Sequence, residues 1–206
     1  MKDIQCYVLG MVQVNTYLLW KDNHVLIIDP GTASKRLFEA IDERQGIVDG
    51  IVLTHAHFDH IGGIDAIVKK YQCPLYMNDL DEELLTNSRL NFSIGEEIIV
   101  HTKPETLLPG VHTIGNFEIT FIDAPGHSEG SSMILWDDNL FSGDVLFQGS
   151  IGRTDLATSS NTKMMQSLRK IREMDPNLKV YPGHGPATTL KDELLYNPYL
   201  TNISNN

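Results

Sequence analysis

Apolar and polar positions change rhythm along the chain. Residues 6–9, 16–20 and 25–29 read as strands, with turns at Gly10 and at Asp22 and Asn23. The third run breaks on Asp29, Pro30 and Gly31. Leu37, Phe38 and Ile41 then recur at helical spacing, predicting a helix that Thr32 or Ser34 caps and Gly46 stops. Residues 48–54 form a short continuous apolar strand. After Gly62 and Gly63 the pattern predicts a helix over 64–70, a strand over 74–76 and a short acidic helix over 79–86. Residues 87–110 show no clear period, and the stretch 103–110, with its Pro and Gly, is a candidate surface loop over a site. Further on come strands over 113–117 and 118–123 around a turn, then a hairpin of 133–136 and 139–142 turning on Asp137 and Asp138. A helix over 161–174, a final strand from Val180 to Pro182 and Gly183, a closing helix over 190–196 and a fraying polar tail complete the pattern.

Each half of the chain thus has strands first and helices after. Mixed sheets with helices outside them are the natural packing, in a layered α/β or α+β arrangement. The length of 206 residues suits one large domain or at most two small ones, and no linker divides it.

Composition narrows the function classes. With 41% hydrophobic and 21% charged residues, a packed core is expected rather than disorder. No apolar run is long enough to cross a bilayer and the N-terminus does not read as a signal peptide, so a soluble, cytoplasmic protein without membrane partners is expected. The net charge of -11, from 16 basic and 27 acidic side chains, argues against nucleic acid as a partner. The acidity, as in residues 79–83 and at Glu96 and Glu97, reads as solvated surface. Cys6 and Cys73 read as two buried thiols rather than a disulfide scaffold.

The chemistry concentrates where the apolar run 48–54 ends. His55, His57, Asp59 and His60 fall within six positions, ahead of Gly62 and Gly63. A loop after a strand can aim all four at one point, and imidazole nitrogen with carboxylate oxygen suits zinc, iron or manganese. The glycines let the chain turn tightly or let the next helix start near the metals. Three later segments repeat the theme of an apolar strand, a glycine and a polar residue: Gly126 and His127, Gly143 and Asp144, Gly183 and His184. Together they predict a cleft at one edge of a sheet sandwich. Asp29, Thr54 and Thr154 are candidates for holding the outer nitrogens of ligand histidines. Ser128 and Ser131 either line the pocket or cap turns, and Tyr181 packs in the last strand. Arg153 is the candidate for binding a substrate anion, against local pairing with Asp155.

These motifs resemble the metallo-β-lactamase fold superfamily and, within it, the short glyoxalase II-like hydrolases, which are hydroxyacylglutathione hydrolase-like enzymes. The resemblance covers nearly the whole chain, and the stretch 147–155 is similar to a segment of the short branch. It implies a four-layer αββα sandwich with metals at one edge, formed as a single domain over 1–206. By the family pattern His55, His57 and His127 hold one metal, Asp59, His60 and His184 hold a second, and Asp144 bridges the two. Two divalent ions, zinc before iron or manganese, can hold and acidify one water between them. The resulting hydroxide attacks the carbonyl of a small, anionic thioester such as S-D-lactoylglutathione, with Asp59 as ligand and orienting catalytic group. The chain lacks room after His184 for the helical extension that helps long glyoxalase II enzymes hold glutathione. It also has Ser131 where those enzymes usually place a histidine. Other activities on the same scaffold are a mono-iron persulfide dioxygenase, a lactonase or esterase, a β-lactam hydrolase and a phosphodiesterase. A noncatalytic metal-binding module is the alternative outside enzymology.

Overall fold

The computed structural model describes residues 1–203. Two six-stranded sheets form its centre. The first runs in chain order through β1 (Lys2–Leu9), β2 (Val14–Lys21), β3 (His24–Ile28), β4 (Ile47–Val52), β5 (Leu75–Met77) and β6 (Glu105–Thr106). Its first three strands are antiparallel and the rest are added in parallel. In the second sheet, β7 (Gly110–Ile114), β8 (Phe117–Asp123), β9 (Ser132–Trp136) and β10 (Asn139–Gly143) lie side by side. The small hairpin of β11 (Leu146–Phe147) and β12 (Ser150–Ile151) follows in the chain. The sheet is completed by β13 (Lys179–Pro182), parallel to β10, and β14 (Thr188–Thr189).

The period-two alternation of the strands builds the layers. In β2, Tyr17 and Leu19 face the second sheet, while Leu18 and Trp20 face helices. In β3, Leu26 and Ile28 face the sheet, and Val25 and Ile27 face helices. Against the outer face of the first sheet lie α1 (Lys35–Glu43), presenting Leu37 and Ile41, and α3 (Ile64–Tyr71), presenting Ile64 and Ile67. Phe117, Ile119 and Phe121 of β8 join Ile134, Trp136 and Phe141 in the inter-sheet core. The other face of the second sheet, with Met133, Leu140 and Val180, is covered by Met164, Leu168 and Ile171 of α4 (Asn161–Arg172). Leu190 of α5 (Leu190–Tyr196) and Leu200 of α6 (Pro198–Thr201) extend that cover. The result is the expected four-layer αββα sandwich.

Several local expectations change. The turn between β7 and β8 falls at Gly115 and Asn116, so the two strands lie earlier than the pattern suggested. The acidic segment Asp79–Leu85 is a 3-10 helix, and α6 follows α5 where only a polar tail was expected, while residues 204–206 of that tail lie outside the described residues. The strand ending at Pro182 is followed by β14. The stretch 103–110 carries β6, the edge strand of the first sheet, rather than a loop over a site. Cys6 is exposed and only Cys73 is buried, both as free thiols. Among the described residues no helix is long and apolar enough to cross a membrane.

Phe121 is fully buried between the sheets. Phe121→Ala is expected to cost about 3–5 kcal/mol in chemical denaturation, with an unchanged strand signature in circular dichroism of the folded protein.

Candidate metal centre

Strands of both sheets end at one edge, and the side chains singled out above meet there. His55 and His57 follow β4, while Asp59 and His60 lie in α2 (Phe58–Ile61). His127 follows β8, Asp144 follows β10 and His184 follows β13. His55, His57 and His127 present ligand atoms within 4.8 Å of one another, and so do Asp59, His60 and His184. Asp144 stands between the two groups. One of its oxygens is 3.6 Å from His60 Nε2, and the other is 3.4 Å from His127 Nε2 and 3.7 Å from His184 Nε2.

The outer nitrogens of the rings define which face inward. His60 Nδ1 donates to Asp29 at 2.9 Å, His127 Nδ1 to the Arg153 carbonyl at 3.0 Å, and His184 Nδ1 to the Gln13 carbonyl at 3.3 Å. A proton fixed on Nδ1 leaves the Nε2 lone pair free to bind a cation. His55 Nδ1 lies 3.1 Å from Thr54 Oγ1, and His57 turns its own Nδ1 to within 2.9 Å of His127 Nε2. Asp29 also accepts from Thr54 N at 2.8 Å and Thr54 Oγ1 at 2.6 Å. It too lies within ligand distance of His55 and His60, but these bonds occupy its oxygens and make it the orienting partner. Thr54 and Asp29 therefore do what was expected of them. The Thr154 hydroxyl instead receives Asn161 at 3.4 Å.

Buried polar atoms normally find partners. Here His55 Nε2, His57 Nε2, His60 Nε2 and Asp144 Oδ1 are buried without a hydrogen bond. His55 Nε2 and His60 Nε2 belong to the two ligand groups and Asp144 Oδ1 stands between them; with His57 turning Nδ1 toward His127 Nε2 they offer what cations would satisfy, so the residues fit a metal pair. The electrostatics agree. Burial, aided by the neighbouring His60, His57 and His127, pushes His55 well below the ordinary histidine range, and burial with His127 and His60 lowers His57 to about 3, so both are neutral donors. Burial would lower His60 as well, but Asp59, Asp29 and Asp144 outweigh it and raise the ring to about 10. The three carboxylates around this ring make this half of the site favour positive charge. Asp59, despite burial, is held below the usual carboxylate range by His60 and by its 3.0 Å contact with His184.

The glycines serve close approach. Gly62 and Gly63 have negative φ, so no left-handed turn calls for them. A Cβ on Gly62 would lie 2.5 Å from the Gly31 carbonyl, and one on Gly63 would lie 2.8 Å from the Pro30 carbonyl. The segment carrying Asp59 and His60 is thereby pressed onto the loop that carries Asp29. His184 is placed from β2: Asn15 N reaches the Gly183 carbonyl at 2.7 Å, and Tyr17 Oη reaches the Pro182 carbonyl at 2.6 Å. Tyr181 stacks on Phe141, as its packing role required.

Asp81 is the residue that sequence reasoning missed. Its acidic surroundings read as solvated surface, yet it is fully buried. It accepts from Ala56 N at 3.2 Å, Ser128 Oγ at 2.6 Å and Gly130 N at 2.7 Å, tying the loop of His55 and His57 to that of His127. Ser128 and Ser131 bond each other in that turn and do not line the cleft. No spacing signal marks Asp81, because its partners are mostly backbone groups distant in sequence.

A cleft of about 340 Å³ opens onto both groups and is lined in part by Phe92, Ile94, Arg153 and Leu156. The cover comes from residues 92–94 and not from 103–110. The Arg153 guanidinium pairs with Asp155 through bonds of 2.9 and 3.1 Å and is largely exposed.

Comparisons with known proteins agree with this geometry. Residues 9–184 match the family described as the Metallo-beta-lactamase superfamily. The chain is 38% identical over 203 residues to "Probable metallo-hydrolase YqgX" of Bacillus subtilis (strain 168), covering 95% of this chain and 96% of that protein. It is 28% identical over 206 residues to "Hydroxyacylglutathione hydrolase GloC" of Haemophilus influenzae, covering 93% and 95%. Among solved structures it is similar to the BLEG-1 B3 metallo-beta-lactamase, with a TM-score of 0.92 and 38% identity over 97% of this chain and 100% of that one. It is also similar to TTHA1623 in a di-iron-bound form, with a TM-score of 0.82 and 33% identity over 95% and 100%.

Asp29→Asn would turn an amide N–H toward donors that now meet a carboxylate. Metal titration is expected to show a 10–100-fold weaker site at His60, with the site of His55, His57 and His127 retained.

Proposed function

The chain belongs to the metallo-β-lactamase superfamily, and on that premise we propose that it is a binuclear metal-dependent hydrolase of small thioesters, acting as one catalytic domain. His55, His57 and His127 would hold one ion, Asp59, His60 and His184 the other, and Asp144 both. Zinc suits these nitrogen and oxygen donors, as do iron and manganese. Two such ions, when bound, acidify a shared water and polarise a substrate carbonyl.

The chain's own groups set the rest. Asp59, kept ionised by His60 and His184, faces the cleft and accepts a hydrogen bond from the attacking water, which aims it. Phe58, Phe92, Ile94 and Leu156 shield the reacting carbonyl from bulk solvent. Arg153 stands at the rim beside His127, where exchange of Asp155 for a substrate anion would bind the thiol carrier.

One observation carries the choice of a thioester. Among the described residues lining the cleft there is no lysine, tyrosine or cysteine to protonate a leaving group, and each imidazole there belongs to one of the two ligand groups. A thiolate leaves without prior protonation, whereas an amine does not. The likeness to the hydroxyacylglutathione hydrolase of Haemophilus influenzae supports the same choice. β-Lactam hydrolysis is the second reading, favoured by the likeness to the BLEG-1 enzyme.

Metal-loaded protein is expected to hydrolyse S-D-lactoylglutathione, with Asp59→Ala lowering kcat at least about a hundredfold. Two bound ions with no turnover of any thioester, or faster turnover of a chromogenic cephalosporin, would overturn the thioesterase reading. Asp144→Ala is expected to lose both ions, and normal occupancy in that variant would remove its bridging role. Arg153→Ala is expected to raise KM for an anionic thioester more than it lowers kcat.

A further inference from the structure

Beside the metal cleft lies a second trough of about 460 Å³. The two share Val12, Phe58, Asp59 and Ile94, so the trough continues the cleft past Asp59. Met11, Ile94 and Ile98 add to its apolar wall, with Glu96 at the rim. Met11 is 80% exposed and Ile94 is 59% exposed, which marks a surface that water covers only at a cost. These side chains come from the β1–β2 turn and from residues 94–98; Met11, Val12 and Ile94 are exposed, while Ile98 is half-buried against the first core.

We propose that this trough seats an apolar acyl chain of the substrate, so that the enzyme acts on medium-chain acyl thioesters in preference to short hydroxyacyl ones; the inference rests on the hydrolase reading for its site of cleavage. Charge decides which part of the substrate fits. No lysine, arginine or histidine lines the trough, and its charged members are Asp59 and Glu96. An anionic or polar thiol carrier is repelled there, whereas an alkyl chain meets aliphatic and aromatic walls. Arg153, the one lysine or arginine among the described residues lining the adjoining cleft, belongs to the segment whose carbonyl holds His127, away from the trough lining. The acyl carbon then lies between an apolar arm on the Asp59 side and the carrier on the Arg153 side. Hydrolysis breaks the carbon–sulfur bond, adds the water oxygen to the acyl carbon and releases a fatty carboxylate, a thiol that takes one of the water's protons, and the other proton to solvent, with no redox change.

The test compares S-acyl-N-acetylcysteamine thioesters from acetyl to octanoyl on the metal-loaded enzyme. kcat/KM is expected to rise about two- to fourfold per added methylene, and Met11→Asp is expected to cut the octanoyl-to-acetyl ratio at least about tenfold. A flat or falling series overturns the inference while leaving the hydrolase reading standing. A parallel calorimetric titration uses the uncleavable thioethers S-ethyl- and S-octyl-N-acetylcysteamine. Tighter octyl binding that Met11→Asp removes supports the trough even if no thioester is cleaved, in which case the hydrolase reading alone fails. Equal affinity of the two thioethers overturns the trough.

Discussion

Asp29, Asp59 and Asp144 all converge on the buried ring of His60, and three carboxylates at so low an exposure are tolerated only where positive charge stands among them. His60 supplies one proton's worth, and its raised affinity for that proton shows the strength of the local field. The rings of His55 and His57 stand in the neighbouring group but are themselves neutral. The arrangement is therefore electrostatically incomplete as protein alone, and a pair of divalent ions is the counter-charge that its donors fit. The rest of that edge, from the bonds to Asp29 to the close glycines, serves to keep this charge cluster from relaxing apart.

The sandwich makes such convergence possible. β3, β4 and β5 run in one direction, and β8, β10 and β13 share a direction in the other sheet. Their carboxyl ends fall at one rim, the usual place for a site between packed strands. Each strand is fixed by alternating burial against a neighbouring layer, so each loop leaves from a rigid point. Asp81 then ties two of these loops together through backbone donors, while β2 holds the His184 turn.

The apolar trough changes how the site reads. The metal cluster accounts for bond cleavage in general, and the proposed thioester reading rests on the lack of a lysine, tyrosine or cysteine among the described residues lining the cleft. The neighbouring Met11, Ile94 and Ile98 bear instead on what is attached to the carbonyl. In the proposed enzyme, reactivity and selectivity would sit on different parts of the chain. The first is on strand ends locked by buried hydrogen bonds, and the second is on two exposed segments with few such bonds.

Elements with strong periodicity were legible in the amino acids themselves. α5 occupies the expected 190–196, the hairpin of β9 and β10 turns on Asp137 and Asp138, and the histidines and aspartates singled out in the sequence come together at one edge. Such features depend on local spacing: apolar residues repeating with a helix or strand, and ligand residues placed directly after strands. Residues 87–110 were not legible because their contacts follow no helix or strand period: Asn91 bonds the Leu84 and Ile98 carbonyls, Phe58 N donates to the Asn91 carbonyl and β6 pairs with β5. Asp81 looked like surface for the same reason, since a carboxylate in an acidic run is buried only when the fold brings backbone donors from residues 56 and 130 to it. The sequence by itself determined the layers and the candidate ligand side chains, because apolar periods and polar residues directly after strands are local patterns. Only the tertiary structure decided which partners orient those ligands and what walls flank them, because those contacts join segments that no local period connects.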